Sequence, residues 1–122
     1  MTFGIAFDQG ATPIPGFDMV AMGTITWDAS CLVTGEVLDC SAQFSTVDAV
    51  IDIGVSAIGL CGYIPQFVCA KGAAAATEVL ALLAIVDTDG SYGKEGKMVP
   101  ANGVNVAAIG TTRVMVIGKA AT

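Results

Sequence analysis

The apolar residues of this chain come in short runs, and no run holds the 3.6-residue period that a helix of ordinary length needs. The clearest segment, Met22 to Asp28 (MGTITWD), sets Ile25 and Trp27 against Thr24 and Thr26 at period two, as a half-buried strand does. Ser45 to Gly54 (STVDAVIDIG) alternates Val47, Ala49, Ile51 and Ile53 with Asp48 and Asp52. Val50 breaks that alternation, which suits a strand partly covered on both faces. Gly62 to Ala70 (GYIPQFVCA) predicts a further strand, and Pro65, which has no N–H to give a ladder, places it at a sheet edge or a bulge.

Glu78 to Asp87 (EVLALLAIVD) is the ambiguous stretch. Leucine and alanine favour helix, but the run is short, almost continuously apolar and ends in Asp-Thr-Asp-Gly. It predicts a buried strand entering a hairpin, with the turn and the returning strand inside Gly90 to Pro100. Arg113 to Lys119 (RVMVIGK) closes the fold. Val33 to Gly35 and Asn102-Gly103 read as turns, Glu36 to Phe44 as a loop and Lys71 to Ala76 as a small-residue connection. Seven or eight short strands without a helix predict an all-β single domain, a β-sandwich or barrel.

The first residues stand apart. Phe3, Ile5 and Phe7 share one face of a short strand, and QGATPIPG (9–16) comes after it, with two prolines and two glycines that cannot extend a ladder. The division that results is an N-terminal arm at 1–16 and a β-sandwich or barrel domain at 17–122. A first strand folded back on its own sheet fits the same residues. Aromatic side chains beside proline-rich breaks are natural interface anchors, so Phe3, Ile5, Phe7, Ile14 and Phe17 are the candidate interface residues.

Composition explains why an interface is sought. Apolar residues make up 54% of the 122 and charged residues 13%, about half the usual charged share of about a quarter. A monomer of this size has too little polar surface, so the apolar surplus points to burial against other protein chains. A bilayer is the other sink. The longest charge-free window, Ile53 to Ala70, holds three glycines, Pro65 and Gln66, with acids before it and no basic anchor, which argues against a spanning helix. The start, MTFGIAFDQG, has neither a basic nor an apolar signal region, which predicts cytosolic synthesis. A net charge of −6 with only five scattered basic residues excludes sequence-independent binding to nucleic acid.

Chemistry finds little purchase. The chain has no histidine, which removes histidine triads and bases. Cys31, Cys40, Cys61 and Cys69 are spaced by eight, twenty and seven residues, without the tight pairs of zinc sites, and read as small buried hydrophobes. Asp87-Thr88-Asp89-Gly90 starts like a calcium loop, but Tyr92 stands where such a loop needs glycine. Asp48 and Asp52 could form a carboxylate pair, yet a sugar cleft would need more than one Trp and two Tyr. No catalytic, cofactor or metal site is expected.

Several short motifs occur in a familiar order. Gly23-Thr24-Ile25-Thr26-Trp27-Asp28 followed by Thr34-Gly35-Glu36-Val37-Leu38 resembles the threonine-rich strand and glycine-glutamate turn of small structural proteins of tailed bacteriophages. Val47-Asp48-Ala49-Val50, Gly62-Tyr63 and Thr112 to Lys119 (TRVMVIGK) match that family's later strands. The resemblance spans Gly23 to Lys119, and Cys61, Cys69 and the Ala73–Ala76 run depart from the pattern. It implies a head decoration (cement) protein, synthesised in the host cytoplasm and carried on the virion capsid surface. Its implied partners are the major capsid protein and further copies of itself, a trimer suiting three-fold capsid positions. Another virion part (tail, neck or fibre-associated) and a carbohydrate-binding β-sandwich are the alternatives.

Overall fold

The computed structural model describes residues 3–14, 17–27, 35–55, 63–87, 97–100 and 111–121, and among them are ten strands and no helix. The all-β expectation holds, with ten strands where the sequence suggests seven or eight. The main sheet contains β1 (Gly4–Phe7), β2 (Thr12–Ile14), β3 (Phe17–Thr26), β5 (Phe44–Val55), β7 (Ala73–Ala74) and β10 (Thr111–Ala120). Its order is β1-β3-β10-β5-β7, with β2 continuing the line of β1 along β3. The second sheet sets β8 (Leu80–Asp87) between β6 (Tyr63–Val68) on one side and β4 (Glu36–Val37) with β9 (Lys97–Pro100) on the other. Every pairing is antiparallel.

Residues 80–87 are a strand and 97–100 return along it, as the hairpin reading requires. β6 pairs on one side only among the described residues, which is where Pro65 is tolerated. Two short strands fall where the sequence suggests loops: β4 within 36–44 and β7 within 71–76. Each is two residues long, too short to leave a periodic signal. The turns at 33–34 and 102–103, with Cys31 and Cys61, lie outside the described residues.

β10 organises the core. Thr112, Val114, Val116 and Gly118 are buried, while the residues between them are only partly so. Ile25, Gly23 and Ala21 of β3 stand beside them across one ladder, and Val50 and Val47 of β5 across the other. Trp27, Phe44, Leu38, Val79 and Ala81 complete the buried cluster. Full burial of each large apolar side chain stabilises the fold by about 1.5–3 kcal/mol. The segments 38–40 and 75–79 cross this side of the sheet together, joined by Leu38 N–H to Val79 O (2.8 Å) and Cys40 N–H to Ala75 O (2.9 Å). Trp27 Nε1–H donates to Thr112 Oγ1 at 2.9 Å inside the core. Without that acceptor the indole N–H would sit unpaired at a cost of about 1–3 kcal/mol.

The N-terminal segment is the first strand of this domain and not an arm leaving it. β1 pairs with β3 from Gly4↔Thr26 to Phe7↔Gly23. Phe3 tilts against Trp27 with ring centroids 5.2 Å apart, and Phe7 against Phe44 at 5.9 Å. The buried aromatic partners on this side of the sheet outweigh the freedom that the Pro13 and Gly10 breaks would give a tether. The boundary drawn at residue 16 therefore falls between two paired strands, and removing 1–16 would strip Phe3, Ile5 and Phe7 from the core they pack against.

β5 is not the regular strand its alternation suggests. The register with β10 slips at three places, leaving Ser45, Asp48 and Ile53 as extra residues. Each slip exchanges the faces of the residues beyond it. Val47 is buried, but beyond Asp48 it is Val50 that packs on the core, while Ile51 and Ile53 are 43% and 42% exposed. Gly118 permits the slip at Asp48, because a Cβ there would collide with the Thr46 carbonyl oxygen and lie 2.9 Å from Val47 Cα. Gly23 is less demanding, since an added Cβ meets chiefly the flexible Ile5 side chain, at 2.9 Å. Gly118→Ala is expected to destabilise the protein by at least about 2 kcal/mol, and Gly23→Ala by less, measured by urea unfolding.

Candidate functional site

Paired residues in an antiparallel ladder point to the same face, so the partly buried positions of β10 define the outer side of the main sheet. Two apolar rows cross its centre. Met22, Met115 and Ile51 form one, and Val20, Ile117 and Ala49 the other. All are partly buried except Ile51, which is exposed.

Polar groups close the face at both ends. At one end Arg113 donates from Nη1 to Asp8 Oδ1 (2.8 Å) and Thr24 Oγ1 (2.6 Å), and Nη2 adds a second bond to Asp8. This fork joins the turn after β1 to β10, and the guanidinium holds the Asp8 carboxyl below the usual range through its hydrogen bonds and its charge. Both groups are well exposed, so water screens the pair.

At the other end Asp18, Thr46, Asp48, Lys71, Gly72 and Lys119 line an open notch of about 640 Å³. The turn at Gly72 takes a positive φ of 80°, which glycine adopts without strain, and its N–H donates to Asp48 Oδ1 at 2.9 Å. Among the described residues, Asp18, Lys71 and Lys119 make no ion pair. An apolar centre enclosed by polar ends has the layout of an association surface.

The candidate residues read from the sequence lie elsewhere. Phe3, Ile5 and Phe7 face the core, and Ile14 is partly buried beside Phe17 at the end of the β2–β3 ladder. The side chain of Phe17 lies outside the described residues. Phe3, Ile5 and Phe7 are therefore part of the packing of their own domain. Asp48 and Asp52 do not cooperate either, since each caps a different backbone N–H, Gly72 and Gly54.

Cys40 and Cys69 are free thiols. Burial pushes the Cys40 thiol up to about 12, helped by the nearby Asp39 and Cys69, so it behaves as the small core hydrophobe the sequence suggests. Among the described residues no group of three or more Cys, Asp or Glu is placed to hold a metal ion, and no helix is long and apolar enough to cross a membrane.

Comparison with known protein families, characterised proteins and solved structures finds no match to this chain.

The Arg113–Asp8 fork has a pH signature. A carboxyl whose folded pKa is lowered stabilises the protein above its ordinary value of 3.8 and loses that contribution as pH falls through the lowered value. Thermal unfolding of Asp8→Asn beside the parent protein is expected to show a small deficit at about pH 6 that disappears well below pH 3.8.

Proposed function

We propose that this chain is a virion structural protein, a decoration protein of a tailed-bacteriophage head. The observation that carries the reading is an apolar sheet face with polar ends on a domain with few charges. Such a face suits a protein whose work is to be covered by other chains. The placement of the phage-like motifs supports it. Gly23 to Trp27 runs to the end of β3, Val47 to Val50 lies in β5, Tyr63 opens β6, and Thr112 to Lys119 fills β10. Three of these four strands are the adjacent centre of the main sheet.

The mechanism is mass action. A chain that binds the assembled shell and not its separated subunits stabilises the shell by RT ln(1 + [L]/Kd) at each site. Contacts repeated by the symmetry of the shell multiply that effect through avidity.

Particles purified from the phage that encodes this chain are expected to contain it at a fixed ratio to the major capsid protein by quantitative mass spectrometry, with its density on the shell exterior by electron microscopy. Its absence from particles would overturn the virion reading, and density confined to the tail or neck would overturn the decoration role.

A further inference from the structure

We infer that the outer face of the main sheet is covered by the same face of a second copy, the two related by a two-fold axis running close to the direction of β10. This inference does not depend on the phage reading.

The size of the face is the first argument. Residues 111–119 extend about 27 Å along β10, and four strand columns extend about 19 Å across it with the two-residue β7 beside them, a flat footprint of about 550 Å² before side-chain relief is counted. A stable protein–protein interface covers about 800 Å² on each partner. The flat face therefore reaches about two-thirds of a whole interface, and side-chain relief adds to it.

Its pattern is self-complementary about that axis. The rotation returns β10 to itself and exchanges the β3 and β5 columns. Met115 then meets its own copy, Met22 lies over Ile51, and the larger Val20 lies over the small Ala49. The two sheets stack as an aligned sandwich, their strands crossing at about 30° when the axis is tilted about 15° from β10.

The charges favour this direction of the axis. In the notch, Asp18 stands on the β3 side and Lys71 on the β7 side, and neither makes an ion pair among the described residues. The rotation along β10 brings Asp18 of one copy toward Lys71 of the other, twice. It also apposes the two Lys119 side chains once, in a row whose two aspartates and two lysines per copy sum to zero. A two-fold across the strands would instead set Lys119 against Arg113 twice, where the nearby Asp8 carboxylate is already engaged by the guanidinium. An isologous pair of this kind uses the whole face and leaves none of it for a third copy, so it favours a dimer over the trimer that the resemblance implies.

Analytical ultracentrifugation tests the inference. The full chain is expected to sediment as a dimer at micromolar concentration, and Met115→Arg as a monomer with unchanged circular dichroism. Should Met115→Arg fail to fold, the rim decides. Asp18→Lys alone is expected to weaken the dimer by about tenfold, and Lys71→Asp in the same chain to restore it. A monomeric or trimeric parent, a folded Met115→Arg that remains dimeric, or a double variant no tighter than Asp18→Lys would overturn the inference.

Discussion

The main sheet depends on β10 pairing along both of its edges. Residues 111–120 join residues 17–26 on one side and 44–55 on the other, so the last strand of the chain closes a sheet begun by the first. That closure is possible because position 118 is glycine. Only a residue without Cβ can lie so close to the Thr46 carbonyl and Val47, and the close approach is what lets β5 slip a residue at Asp48. The slip turns Val50 inward and Ile51 outward. One small residue thus decides which apolar side chains make the core and which are left on the surface.

The surface that results has a clear physical logic. The inner side of the sheet is satisfied by Trp27, Phe44, Leu38 and Val79, and the only polar partners fully inside it, Trp27 and Thr112, bond to each other among the described residues. The outer side carries two apolar rows held between the Arg113–Asp8 fork and the charged notch. Apolar surface of this kind is costly in water and is normally covered in a working assembly. The 13% charged share is the sequence counterpart of the same fact. The pairing of copies inferred above answers the need to cover it.

Much of this fold is legible in the sequence, because period two is a strong signal where one face is buried. The TITW alternation marks the end of β3, Pro65 marks β6 as a strand paired on one side only among the described residues, and the apolar run before Asp87 is a strand despite its leucines. Phe3, Ile5 and Phe7 are recognisable as one face, but alternation does not say which sheet a strand joins. Their aromatic contacts with Trp27 and Phe44 decide that they belong to their own core. The outer face is hidden for a different reason. Alternation across Ser45 to Gly54 counts Ile51 with Val47, and only the bulge at Asp48 separates them. In β10 every residue from Val114 to Ile117 is apolar, the pattern of a strand covered on both sides, and that pattern does not say what covers the second side.

Methionine oxidation tests most directly whether the outer face is covered by association. Met22 and Met115 lie in the apolar row of that face, whereas Met19 packs against the core and serves as an internal reference. Exposure to dilute peroxide followed by peptide mass spectrometry reads the sulfoxide at each position. Met22 and Met115 are expected to oxidise readily in dilute protein and to become protected as concentration rises, while Met19 stays slow throughout. Rates at Met22 and Met115 that do not change with concentration would contradict an outer face that a second chain covers.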